Sequence, residues 1–267
     1  MHRPDGLEVA LVTGACSGIG LELARGLAER GFTLVMVSHR PGPLEDAARE
    51  LSRAHGVRTH AIALDLAREA AATELHQRVS ALGLAVDVLI NNAGMFFFGE
   101  IADTDPAKAN ALLQLHVVTP SVLTTLFTPS MRSRRRGHVM FLSSISAWRD
   151  FPGIGYYGSS KKYLRGFARA LRSELGVYGV NVTCLAPGAT ATGLYDPNVV
   201  PVGLAKRLGV MMDARDVARS GLEAMFAGVA EHTPGLLAKV MASSAALTPQ
   251  VIVDVLRKHG PWLERAR

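Results

Sequence analysis

Apolar residues recur along this chain in two distinct periods. Short runs rich in Val, Ile and Leu at 8–13, 33–38, 58–64, 86–90, 137–143 and 180–185 read as strands buried on both faces. Between them, at 19–30, 43–55, 67–82, 105–134 and 156–178, Ala, Leu, Glu and Arg repeat at helical spacing. Gly31, Gly56, Gly83 and Gly179 stand where those helices should stop. Strand and helix alternate, so the pattern predicts repeated βα units: an α/β fold with a doubly wound parallel sheet, right-handed crossovers and helices on both faces.

No linker, repeat or low-complexity tract divides the chain, and a single domain is expected. The regularity lapses after residue 186. Residues 187–212 are rich in Pro, Gly and Thr, 213–228 look helical again, and 235–258 are apolar with stops at Pro249 and Gly260. A last strand is hard to place in Ala230–Gly235, and the tail 235–260 is expected to be helical.

Composition narrows the class. At 267 residues with 48% hydrophobic and 19% charged positions, the chain has ample material for a core, which excludes disordered, collagenous and coiled-coil classes. Cys16 and Cys184 are too few and too far apart for a disulfide scaffold or a cysteine zinc site, so no metal is expected and a reducing, cytoplasmic setting fits best. Residues 1–7 lead straight into the first strand without an apolar leader, so secretion is not expected, and no uncharged apolar stretch of spanning length stands out. The net charge of +6 raises the question of nucleic acid, but the densest basic run, Arg132–Arg136, falls between a helix and a strand. It reads as a solvated helix C-terminus, where cations meet the negative end of the dipole, and no nucleic-acid partner is expected.

Chemistry collects at strand ends. Thr13-Gly14-Ala15-Cys16-Ser17-Gly18-Ile19-Gly20 follows the first strand and opens the first helix. Gly14 suits a tight turn, Gly18 lets backbone approach a pyrophosphate, and Gly20 permits close helix–strand packing, with helix N–H groups facing the anion. Ser17 and Ile19 join these glycines as candidate cofactor contacts. A second turn, Asn91-Asn92-Ala93-Gly94, follows the fourth strand and adds Asn92, Ala93 and Gly94. Asp65, with Leu66 beside it, ends the third strand, where its carboxylate either accepts from an adenine amino group or caps the next helix. The second strand ends Val37-Ser38-His39-Arg40 without the acid that would hold the ribose hydroxyls of NAD; Arg40 instead suits a 2′-phosphate, which favours NADP(H), with NAD(H) as the alternative. Tyr157 and Lys161, four apart at a helix start, rise on one face, where an ammonium favours ionisation of a phenol. Ser143-Ser144 ends the fifth strand, placed to hold a substrate oxygen.

With these motifs in order, the chain resembles the short-chain dehydrogenase/reductase family, in its single-domain branch, from residue 8 to about 192. The TGxxxGxG turn is matched by Thr13, Gly14, Gly18 and Gly20, the NNAG turn by Asn91 to Gly94, and YxxxK by Tyr157 and Lys161. The family's serine, thirteen residues before its tyrosine, selects Ser144, and PGxxxT is matched by Pro187, Gly188 and Thr192. The resemblance implies a Rossmann-type fold. It also implies hydride transfer between a nicotinamide and a carbonyl, with Tyr157 moving the proton, Lys161 on the nicotinamide ribose, Ser144 on the carbonyl and the Pro-Gly turn at the nicotinamide end. His116 stands where relatives carry an asparagine of a proton path, and either relays protons or simply hydrogen-bonds within the helix.

The resemblance makes residues 193–212, including Leu194, Tyr195, Met211 and Met212, a candidate lid. Phe96, Phe97, Phe98, Trp148 and Phe151 either line an apolar substrate pocket or, for Phe97 and Phe98 above all, close the core or an interface. A small hydrophobic ketone or alcohol and a homodimer or homotetramer are the expected partners; the tail 235–260 either covers the pocket, supports the oligomer or touches a membrane surface through its apolar face. The competing reading is a non-catalytic NADP(H)-sensing or scaffold protein on the same fold; dehydration or epimerisation is a further alternative.

Overall fold

The computed structural model describes residues 8–192 and 211–259. Seven parallel strands lie in the order β3-β2-β1-β4-β5-β6-β9: β1 (Val9–Thr13), β2 (Thr33–Ser38), β3 (Thr59–Ala63), β4 (Val88–Asn91), β5 (Gly137–Leu142), β6 (Val180–Leu185) and β9 (Glu231–His232). The chain reverses its direction of travel between β1 and β4, where adjacent crossovers go to opposite faces and leave a crevice at the carboxyl edge.

Each face of the sheet carries its own core. Val12, Met36, Ile90 and Met140 pack with Leu23, Leu27, Leu44 and Leu222, under α1 (Gly18–Ala28), α2 (Pro41–His55) and α7 (Ala214–Phe226). On the other face Leu11, Val35, Leu89 and Phe141 meet Leu75, Leu123, Phe127 and Leu164, from α3 (Ala71–Ala81), α5 (Thr119–Arg134) and α6 (Gly155–Gly176). Such two-sided burial explains why the strand runs are continuously apolar rather than alternating.

The helix expected over 105–134 is compound. α4 (Pro106–Leu113) runs through a π-turn at Gln114–Val118 into α5, and the extra residue per turn rotates His116 into the interior. By length and composition Pro106–Arg134 is apolar enough to cross a membrane, yet here Leu123, Phe127 and Met131 are buried against the sheet. The difficult region 230–235 does contain a strand. β9 is two residues long and pairs with Cys184 and Leu185 of β6, too short to carry a period. A separate two-stranded ribbon joins β7 (Thr190–Ala191) to β8 (Met212–Asp213), which places Met212 in a short strand, and Met211 is buried. Leu194 and Tyr195 lie outside the described residues. The tail is helical, as α8 (Leu236–Leu247) and α9 (Gln250–His259).

The basic run is not simply solvated. Asp87, almost fully buried beside β4, accepts from the backbone N–H groups of Glu8 (2.8 Å) and Val9 (3.2 Å) and pairs with Arg134 at 3.1 Å and Arg136 at 3.8 Å. Arg132 stacks over Tyr178, and Arg135 donates to the Val177 carbonyl. Arg134 and Arg136 therefore join the end of α5 to Asp87 and the start of β1, while Arg132 and Arg135 tie it to Tyr178 and Val177. Asp87→Ala is expected to destabilise the protein by about 2–4 kcal/mol, because two buried amides and a partly buried guanidinium lose one acceptor; a urea midpoint within error of wild type would show that the cluster contributes nothing.

Candidate active site

Two turns at the carboxyl edge are stitched to each other by one hydroxyl and one amide. Thr13 Oγ1 accepts from the N–H groups of Asn92 and Ala93, both at 3.0 Å, and donates to the Ile90 carbonyl at 3.3 Å. In return Asn92 Nδ2 donates to the carbonyls of Thr13 (2.8 Å) and Gly14 (3.3 Å). The approach is close enough to dictate glycine. A Cβ on Gly14, whose φ is +68°, would fall 2.8 Å from Asn92 Nδ2, and one on Gly20 would fall 2.2 Å from the Gly14 carbonyl oxygen. The Asn92 side chain is thus committed to building the cleft.

The resulting turn fits an anionic group. Ser17, the N-cap of α1, makes no side-chain cap bond, and the first turn of α1 holds no acidic residue, so its amides keep their affinity for negative charge. Arg40 reaches over from the end of β2, donating from Nη2 to Ser17 Oγ at 2.7 Å and Cys16 Sγ at 3.0 Å, while Ser38 Oγ contacts Cys16 and accepts from Arg40 N–H. A fixed guanidinium therefore stands beside the glycine turn. Thr192, at the end of the Pro187-Gly188 turn, lies against Gly18. Asp65 is exposed with Leu66 buried beside it, and one Asp65 oxygen accepts from Ala67 N–H at 2.9 Å: the local turn role, with α3 beginning only at Ala71.

Hydrogen bonds tie α6 to the end of β5. Lys161, buried beneath the site, donates from Nζ to the Leu142 carbonyl at 2.8 Å, and Ser143 Oγ donates to the Lys161 carbonyl at 2.8 Å. Ser143 is consumed as this fastener. Ser144 accepts from Ser146 N–H at 3.2 Å and retains its own hydroxyl hydrogen to donate, which is what holding a carbonyl oxygen requires. The Tyr157 ring lies 5.5 Å from Lys161 Nζ, with Phe96 edge-on at 4.9 Å and His116 at 5.8 Å. Burial, which penalises the charged form, lowers the Lys161 pKa to about 8, with Cys184 offsetting part of the effect.

Both ring nitrogens of His116 are hydrogen-bonded. Its Nε2 accepts from Met95 N–H at 2.9 Å, so Nδ1 carries the hydrogen and bonds Ser160 Oγ at 2.9 Å; Ser160 in turn donates to the Tyr157 carbonyl at 2.8 Å. Burial and the Lys161 charge push its pKa well below the usual imidazole value. Through its two ring nitrogens His116 ties the Tyr157 turn to the Gly94 turn. Gly94 must be small here, since a Cβ would fall 2.9 Å from His116 Nε2.

Of the aromatic residues, Phe96 faces Tyr157 and Phe98, Phe97 tilts on Tyr156 beneath Lys108, and Phe98 and Phe151 are exposed. Phe97 and Phe98 are therefore not core residues. Trp148 is clamped under the Arg165 guanidinium, which is bonded to Glu231 of β9. Sequence reasoning missed this clamp, whose partners are 17 and 83 positions from Trp148 and share no motif.

The family model described as short chain dehydrogenase matches residues 8–199. The chain belongs to this family. A dehydrogenase/reductase SDR family member 7B from Bos taurus is 34% identical over 220 residues, 80% of this chain and 67% of its own length. A very-long-chain 3-oxoacyl-CoA reductase from Phaeosphaeria nodorum is 31% identical over 189 residues, 69% of this chain but only 55% of its own length. Among solved structures, a short-chain dehydrogenase from Sphingobium yanoikuyae in complex with NADPH superposes with a TM-score of 0.80 at 26% identity, covering 93% of this chain and 96% of that one. Membership supports the oxidoreductase class acting on CH–OH and C=O groups, and it does not favour a sensor or scaffold.

Two outcomes follow from the buried pair. Between about pH 8 and 10.5 the unfolded chain keeps a proton on Lys161 that the folded chain has released, so this group's contribution to stability rises with pH across that window. Below about 8 both states hold the proton and the full cost of the buried charge remains. Lys161→Met is therefore expected to raise Tm relative to wild type most at pH 7, with the gain shrinking towards pH 10; a difference independent of pH would contradict this. For His116→Asn, activity is expected to fall about tenfold with no limb of the pH–rate profile removed between pH 6 and 8, and loss of such a limb would make the ring a proton carrier.

Proposed function

We propose that this protein is an NADP(H)-dependent oxidoreductase that interconverts a hydrophobic ketone and its secondary alcohol. The reading is supported by Lys161 Nζ lying 5.5 Å from the Tyr157 ring and bonded to the Leu142 carbonyl at the end of β5, two residues before Ser144, and by a glycine turn with a guanidinium beside it and uncapped helix amides. The amides opening α1 at Gly18, Ile19 and Gly20 would hold the pyrophosphate, with Ser17 at their entrance and Arg40 for the 2′-phosphate; Asp65 and Leu66 would border the adenine end. Ala93, Gly94, Pro187, Gly188 and Thr192 would frame the nicotinamide end. A bound nicotinamide supplies or removes the hydride.

The chain's own residues then handle the oxygen. Ser144 donates to the carbonyl oxygen and fixes it within reach of the Tyr157 phenol, which gives a proton in reduction and takes one in oxidation. The Lys161 ammonium stabilises negative charge developing on the Tyr157 oxygen, and its bond to the Leu142 carbonyl keeps it aimed. His116, through Ser160, holds the turn that presents the phenol. Phe96 against Tyr157 and the exposed Phe98 and Phe151 favour an apolar substituent over a sugar; the 3-oxoacyl substrate named for the Phaeosphaeria relative, a ketone on an apolar chain, has the same character.

NADPH and NADH oxidation against a panel of hydrophobic ketones tests the reading. Tyr157→Phe is expected to lower kcat by a factor of about 10³ or more with little change in cofactor affinity, and turnover surviving at the wild-type rate would remove the mechanism. Arg40→Ala is expected to raise KM for NADPH by about 10–100-fold and leave that for NADH nearly unchanged. Equal effects on both cofactors would remove the role given to Arg40.

A further inference from the structure

The two C-terminal helices present their apolar residues to the wrong side for a helix that merely caps a domain. On α8 the inward positions are small: Ala238 and Ala242 are buried, and Ala238 packs on the Gly188 turn. Its large residues point out, with Leu236 79% exposed, Leu247 83% exposed, and Leu237, Val240 and Met241 also exposed. At 100° per residue those five fall within one arc of about 140°, roughly opposite the two alanines. α9 repeats the arrangement, burying Val253 and exposing Val251, Ile252 and Val255. Eight of the seventeen large apolar side chains exposed among the described residues thus lie within 236–255. A soluble surface helix would be polar on that arc.

Charge identifies what could cover it. Within 236–255 the only charged residues are Lys239 and Asp254, whereas the sequence from 256 onward brings Arg257, Lys258, Arg265 and Arg267 against Glu264, together with Trp262. An exposed apolar arc followed in the sequence by a run rich in cations has the composition that suits an anionic bilayer, acyl boundary for the one and phosphate for the other.

We propose that α8 and α9 form a docking surface for an anionic phospholipid membrane. The contact is peripheral, since α8 and α9 are only 12 and 10 residues long and are separated by Pro249. It goes beyond the oxidoreductase reading and stands without it. α8 also packs on the segment Ile145–Trp148 that follows Ser144, so a docked membrane lies next to the catalytic edge.

Vesicle flotation of the full chain tests the proposal. The protein is expected to float with phosphatidylcholine vesicles carrying about 30% phosphatidylserine at low salt, and to bind pure phosphatidylcholine about tenfold more weakly. Val240→Glu combined with Val251→Glu changes two exposed sites and is expected to reduce binding to the anionic vesicles at least tenfold, on the order of a lost interfacial apolar face, with Tm unchanged. Absence of binding to either vesicle, or equal binding by the double variant, overturns the proposal. A dimer in gel filtration that the double variant dissolves overturns it too, in favour of a second copy. Flotation needs no turnover, so a protein that floats but reduces no ketone refutes only the assigned reaction.

Discussion

The site rests on a single hydroxyl at the point where the sheet reverses its winding. Thr13 Oγ1 makes three hydrogen bonds across the gap between β1 and β4, accepting two backbone N–H groups of the Asn92-Ala93 turn and donating to Ile90. Parallel strands cannot close this gap, because the crossovers on either side depart to opposite faces. Without the hydroxyl and the returning Asn92 amide, each turn would have buried amides or carbonyls to satisfy elsewhere. With them, the glycine turn and the Asn-Ala-Gly turn become one rigid wall of the cleft.

The opposite wall is tied down by a costlier device. Lys161 is buried, held by one carbonyl of β5, and its charge is destabilised by that burial. A sequence selected for stability alone would place a neutral side chain there. Ser143, Ser160 and His116 distribute the surrounding hydrogen bonds so that the tyrosine turn, the β5 end and the Gly94 turn share one network. The strain of an interior cation is thereby kept at the place where a positive field has a chemical use.

Most of the strands were legible because the sheet is covered on both faces, so each strand is a continuous apolar run between turn residues. β9 was not: two residues give no period, and its place depends on β6 and on Arg165 holding Glu231. The helix over 105–134 was visible as one element, but the π-turn that turns His116 inward leaves no mark in composition. In the site, spacing and position brought out the glycine turn, Tyr157 with Lys161 and the Ser143-Ser144 pair, and the family resemblance then selected Ser144. The commitment of Asn92, Ser143 and both His116 nitrogens to protein partners was invisible, because it depends on residues 18 to 79 positions away. The Arg132–Arg136 run is largely solvated at the end of α5 as read, but the pairing of Arg134 and Arg136 with Asp87 was invisible for the same reason, Asp87 being distant in sequence.

Nucleotide binding by Thr13→Val tests the central constraint most directly. Valine keeps the shape of the buried threonine and removes only its three hydrogen bonds, so the fold should persist while the two turns lose their common reference. Titrating NADPH by its fluorescence is expected to give a Kd raised about tenfold, roughly 1.4 kcal/mol, with an unchanged far-ultraviolet spectrum. A Kd equal to that of the wild type would contradict the claim that this hydroxyl shapes the cleft.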